Sequence, residues 1–191
     1  MAKTTKQEIF ETGLRLFQRQ GYHAVTVQQI CTACGVSKGS FYHHFNSKEE
    51  LLLHFFYYHH PEPPPAAPAD ETCFAALLAL YDAYNRDLKS LGKGLVRCLL
   101  QTDLDHGNRL FDGYLRLDSP YLQRLRAYGT ALIARGQRQG EFRPGDPLAL
   151  LQLATMGTIA VVMRWCAGTE DWDMAPELER VMALALGVLE K

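Results

Sequence analysis

Between positions 38 and 48 the chain gathers side chains suited to one chemistry, the recognition of phosphates and base edges. Lys38 can reach a phosphate or a guanine, Tyr42 and His43 can donate to phosphate oxygens or to bases, and Lys48 can pair with a phosphate. Gly39 and Ser40 keep the surface between them low, so a nucleic-acid backbone could approach closely. Phe41 and Phe45, four residues apart, would anchor the same segment to a core. Lys3 and Lys6 add a short basic arm.

Other chemistry-bearing residues resolve into blander roles. Cys31 and Cys34 share a helix face at i, i+3 and could form a redox or metal pair. No second Cys-x-x-Cys or Cys/His pair follows at zinc-finger spacing, so they read as small residues packed against the first helix, with a redox switch as the alternative. Adjacent His43 and His44 point about 100° apart on a helix. His54 and His59 are five apart, off the i, i+4 spacing of a helical metal pair. No metal site is expected. Gly92-Lys93-Gly94 lacks the upstream glycine of a phosphate loop, and neither His-Glu-x-x-His nor Gly-x-Gly-x-x-Gly occurs. No enzymatic function and no cofactor are expected.

The elements that must position these residues are helical. Ile9, Gly13, Leu16 and Phe17 lie on one face of a first helix that Gly21 stops. Thr26 caps a second, ending at Gly35; Ser37 caps a third, through Phe45. Ser47 caps a fourth carrying Leu51, Leu52, Phe55 and Phe56, with Glu50 placed for a capping box. The turn Cys34-Gly35-Val36-Ser37 between the second and third helices makes a helix-turn-helix, whose later helix lies in the major groove. Pro61 to Pro68 cannot continue a helix and forms a stiff linker. Helical segments follow near 71–89, 93–106, 118–138, 147–167 and 175–190, with no useful strand alternation. The chain is therefore expected to be all-α, divided into a helix-turn-helix domain (1–47), a connecting helix (48–60), the linker (61–70) and a ligand-binding and dimerisation bundle (71–191).

Composition bounds the setting. With 191 residues and a net charge of −1, the chain is no basic coat protein, and a DNA role needs a local basic surface. Five scattered cysteines do not form a disulfide framework, and the N-terminus lacks the apolar core of a signal peptide. A reducing cytoplasm is expected. Residues 147–163 carry no charge, but Gln152, Thr155 and Thr158 interrupt them. They read as a helix buried in protein, so no membrane partner is expected.

Residues 9–52 resemble the DNA-binding domain of the TetR (tetracycline-repressor-like) family. The matching string is Leu16-Phe17, Gly21-Tyr22, Thr26-Val27, Ile30, the run Cys34 to Phe45, Lys48-Glu49 and Leu51-Leu52. The resemblance implies an all-helical homodimer with a variable ligand-binding domain, and usually a repressor released from double-stranded operator DNA by a small-molecule effector. It places DNA contacts on Thr26, Lys38, Gly39, Ser40, Tyr42, His43 and Lys48. Cys31, Cys34 and Gly13 stand where the family commonly has alanine or another small residue, and the proline-rich linker is unusually long.

In the C-terminal part, Tyr81, Tyr84, Cys98, Phe111, Tyr114 and Tyr128 are candidates to line an effector pocket between helices. The last two helices are more apolar than one small domain needs, and Gly157 and Ala160 allow close helix approach. Leu151, Gly157, Ala160, Leu178, Val181, Met182, Ala185 and Leu189 are expected to pair with their two-fold copies.

Overall fold

The computed structural model describes residues 4–55, 71–106 and 120–188. Among these the chain is all-α: α1 (Thr5–Gln20), a single 3₁₀ turn (Tyr22–Ala24), α2 (Val27–Cys34), α3 (Lys38–His44), α4 (Lys48–Leu53), α5 (Cys73–Leu91), α6 (Lys93–Asp105), α7 (Pro120–Arg138), α8 (Pro147–Ala167) and α9 (Ala175–Leu186). The proline-rich linker, Lys3, Phe56, Phe111, Tyr114 and Leu189 lie outside the described residues.

The elements fall into two compact units that do not follow chain order. The first holds 4–55 and 91–106; the second holds 71–90 and 120–188. Helix α6, in a stretch assigned from sequence to the C-terminal bundle, thus belongs to the same unit as the helix-turn-helix, where it packs on α4.

Caps set the helix boundaries of the first unit. Thr26 and Gln29 close a full capping box: Thr26 Oγ1 accepts from Gln29 N (3.2 Å) and Gln29 Oε1 accepts from Thr26 N (2.7 Å). Gly35 takes the left-handed conformation (φ 68°) that ends α2, and Val36 N then reaches Cys31 O at 3.0 Å. Ser37 and Ser47 accept from Ser40 N (3.1 Å) and Glu50 N (3.2 Å). The reciprocal half of the box expected at Ser47 is displaced by one residue. Glu50 Oε2 instead takes two donors from Asn46, its backbone N (2.8 Å) and Nδ2 (2.7 Å). Ile9, Phe17, Ile30, Phe41, Phe45, Leu51, Leu52 and Phe55 are buried in this unit, with Leu95, Val96 and Leu99 of α6.

The second unit is built round Leu77 and Tyr81 (α5), Leu132 and Ile133 (α7), Leu150, Leu151 and Ala154 (α8), and Met182, Ala185 and Leu186 (α9). Glu141, beyond α7, caps α5: its carboxylate accepts from Cys73 N (3.0 Å) and Phe74 N (2.8 Å). Among the described residues α8 is the one helix long and apolar enough to cross a membrane. One side of it is occupied by protein, through Leu150, Ala154, Thr158, Val161 and Trp165. Helix α9 stops at Leu186 rather than running to 190, because Gly187 turns left-handed (φ 59°) and its N–H closes on Ala183 O and Leu184 O.

Burial redraws the apolar surface expected to meet a second copy. Leu151, Leu178, Met182 and Ala185 are buried within the protomer and hold its own helices together. The close approach that Gly157 permits is to Val181 of the same chain; a Cβ there would collide with Val181 Cγ1. Helix α8 instead exposes Leu153, Met156, Ala160 and Met163, and α9 exposes Leu184. The α8 set is spaced 3, 4, 3, the a/d seam of a coiled coil.

Candidate nucleic-acid interface

Helix α3 is short and two-faced. Phe41 is fully buried and Phe45, its C-cap, is 1% exposed, so the opposite side must face outward. That side carries Lys38, Gly39, Tyr42 and His43, all exposed, with Ser40 half-buried beside them. Tyr42 is 51% exposed although aromatic, and its ring rests edge-on against Phe41 at 5.4 Å. A Cβ on Gly39 would meet only Ser37 Oγ, at 3.6 Å. Nothing inside the protein therefore demands glycine at that place, whereas a close external surface would. Thr26 is exposed at the start of α2, with its hydroxyl engaged in the capping box. Six of the seven residues assigned to DNA thus lie at the outer side of α3 or at the α2 start.

Lys48, the seventh, is held differently. Its Nζ donates to Tyr22 O (3.2 Å) and Val25 O (3.3 Å) and lies 4.5 Å from the Tyr22 ring centre. The ammonium thereby satisfies carbonyls at both ends of the 3₁₀ turn and ties α4 to it. Tyr22 Oη donates to Glu49 Oε1 at 2.9 Å. Burial, reinforced by that carboxylate, raises the Tyr22 phenol well above its usual range. Burial opposes the Glu49 charge too, but its own backbone N–H, Ser47 and Tyr22 outweigh burial and hold its carboxyl below the ordinary range. Sequence reasoning missed this clamp, although the Gly21-Tyr22 pair was its visible trace. Lys6, expected in a basic arm, is instead within α1, its ammonium 5.3 Å from the Phe45 ring centre.

The cysteine pair behaves as packing. Cys31 is 2% exposed and Cys34 is half-buried, with Sγ contacts to Ser37 O (3.9 Å) and Glu8 O (3.8 Å). Burial raises the Cys31 thiol, as does Cys34, against a smaller opposing pull from Lys38; the net shift disfavours the thiolate. Among the described residues no group of His, Cys, Asp or Glu is arranged for a metal. Gly35-Val36-Ser37-Lys38-Gly39 spells the Gly-x-Ser-x-Gly of hydrolase nucleophile elbows, but it joins two helices rather than a strand and a helix. Its serine oxygen is the α3 cap.

The effector-pocket candidates separate. Tyr81 lies in the second unit, 9% exposed, its hydroxyl 2.6 Å from Thr155 Oγ1. Tyr128 packs on the same core, and Tyr84 is half-buried on α5. Cys98 does not join them; it sits on α6 in the first unit, its Sγ 3.8 Å from His23 Nε2. Asn85, not singled out from sequence, is 4% exposed on α5 and is a polar residue in register with the buried stripe Leu77, Tyr81 and Leu88.

Comparison with known proteins adds independent observations. The model of bacterial regulatory proteins of the tetR family matches residues 9–55. The uncharacterised HTH-type transcriptional regulator YerO of Bacillus subtilis (strain 168) is 50% identical over 37 residues, 19% of this chain and 13% of that one. YxaF of the same organism is 49% identical over 39 residues, 20% of each chain. Sequence likeness to these relatives thus spans a fifth of their length or less. Likeness of fold extends over nearly the whole chain. PfmR, a TetR family regulator from Thermus thermophilus, superposes with a TM-score of 0.58 at 27% identity, covering 96% of this chain and 99% of that one. The fatty acid degradation regulator FadR from Bacillus halodurans superposes with a TM-score of 0.64 at 21% identity, over 98% and 97% of the two chains.

Proposed function

We propose that the chain, whose residues 9–55 match the tetR family of bacterial regulatory proteins, is a homodimeric DNA-binding transcriptional regulator of that family, a repressor released from its operator by a small, largely apolar effector. The observation that carries the reading is the outer side of α3. Lys38, Gly39, Tyr42 and His43 are exposed on a helix anchored from behind by Phe41 and Phe45. Those residues would read base edges in the major groove, with Ser40 beside them, while Thr26 and Lys48 meet the phosphate backbone.

Dimerisation is supported by the seam Leu153, Met156, Ala160 and Met163, an exposed apolar row on a helix without charge from 147 to 163. Two copies paired along α8 and α9 would present two recognition helices about 34–36 Å apart, so the operator would be near-palindromic. The effector would act by differential affinity, binding best to a conformer whose recognition helices are wrongly spaced for DNA.

Selection of bound duplexes from a random pool tests the reading. Enrichment of a near-palindrome with half-sites one turn apart, lost on adding an effector, is the expected result. An unenriched pool, or a monomer at micromolar concentration by gel filtration, would overturn it.

A further inference from the structure

Within the second unit a hydroxyl hydrogen bond links α5 to α8, and one turn along α5 from the tyrosine that makes it lies a buried amide. Thr155 Oγ1 donates to Leu151 O at 2.8 Å, which uses its single proton. In the 2.6 Å contact with Tyr81 Oη, the tyrosine is therefore the donor. Thr158 Oγ1 donates in turn to Thr155 O at 2.8 Å. One turn beyond Tyr81, Asn85 Nδ2 donates to Tyr81 O at 2.7 Å. That bond fixes which way the amide points, since the flipped arrangement would set two oxygens against each other. Asn85 Oδ1 then faces a buried position and, among the described residues, has no hydrogen-bond partner.

A buried amide oxygen left without a donor is costly, and such atoms are uncommon enough in folded proteins to need an explanation. Thr155 and Thr158, also buried, have found partners for their hydroxyl protons. We propose that Asn85 Oδ1 is the polar anchor of the effector site, and that the effector is a neutral, mainly apolar molecule carrying an N–H or O–H donor. This rests on the reading of the second unit as a small-molecule sensor and narrows its ligand class. A carboxylate would set an anionic oxygen against the Asn85 oxygen. An ammonium would be buried beside Asn85 and Tyr81 with no countercharge on either. A neutral donor satisfies the amide without bringing a charge into the core.

The full-length protein tests this in two ways. The first needs no ligand. Asn85→Leu keeps the branched shape with larger end groups and removes the unpartnered oxygen; where the space left for an effector admits those methyls, the free protein should gain about 2–4 °C in Tm. A fall in Tm would show that the amide already serves the resting fold, through a buried water or its helix, and would overturn the proposal. The second uses isosteric probes: indole with N-methylindole, carbazole with N-methylcarbazole, and phenol with anisole, with benzoate as the anion. Binding is read by calorimetry and release by DNA mobility shift. The donor-bearing member should bind the native protein about tenfold tighter than its methylated twin. Asn85→Leu should erase that preference while still binding the methylated compound. Equal affinities within each pair, a preference that survives Asn85→Leu, or tight binding of benzoate alone would each overturn the assignment and leave the sensor reading standing. If no compound in a broad thermal-shift screen binds, the sensor reading itself fails, and this proposal with it.

Discussion

Acidification should loosen the first unit through a single imidazole. His54 closes α4 with its ring edge-on to Phe10 and to Phe45, each at 5.1 Å between centres. Burial, helped by the nearby Lys6 ammonium, pushes its pKa down from 6.5 to about 4. The unfolded chain therefore takes up a proton below about pH 6.5 that the folded unit refuses until about pH 4. Stability is complete above the higher value and falls progressively as pH drops toward the lower one. A gap of that size corresponds to at most about 3 kcal/mol. The ring is only partly enclosed, so about 1–2 kcal/mol is expected. Both tryptophans, Trp165 and Trp172, belong to the second unit, so bulk fluorescence would miss the change. The assay is amide hydrogen exchange at Ile9, Phe10 and Phe17, corrected for intrinsic rates, beside an NMR titration of the imidazole. His54→Phe keeps an aromatic ring in place and cannot titrate, so its protection should be flat across the same range. An imidazole titrating near its ordinary value, or the same pH dependence in His54→Phe, would refute the reasoning.

Three further outcomes follow from particular contacts. Gly157→Ala gains about 1 kcal/mol of helix propensity but forces a methyl against the rigid Val181 side chain, at about 1–3 kcal/mol, so denaturation should show a net loss. Adding Val181→Ala should recover part of it; strictly additive effects would contradict the contact. Glu141→Ala strips the cap from α5 and should cost about 1–2 kcal/mol, with faster exchange at the Cys73 and Phe74 amides and little change at α3. Lys48→Met keeps the stem beneath Tyr22 but loses two donors to backbone carbonyls, lowering stability by about 1 kcal/mol. If the lysine also meets a phosphate, the salt slope of DNA binding should fall by about one; an unchanged slope would leave it as an internal clamp.

Reading the residues alone suffices for what is written in short-range periodicity and caps. The helix-turn-helix was legible because Thr26, Gly35, Ser37 and Ser47 each act on backbone groups within four residues of themselves. The outward side of α3 followed from the buried pair Phe41 and Phe45 by helical geometry. Packing decided the rest, because an apolar stripe does not name its neighbour. Leu151, Leu178, Met182 and Ala185 are as apolar as an interface requires, yet they went to the protomer's own core and left Leu153, Met156, Ala160 and Met163 outside. Helix α6 joined the first unit although it follows α5 in the chain, so Cys98 belongs to that unit and Tyr81 and Tyr128 to the second. Lys48 reads in the sequence as a phosphate ligand; that its ammonium also holds the carbonyls of Tyr22 and Val25 follows only from the placement of α4 against the 3₁₀ turn. Asn85 shows the same limit: its position in an apolar register is visible in the sequence, but that its oxygen meets no donor among the described residues emerges only once α5 and α8 are assembled.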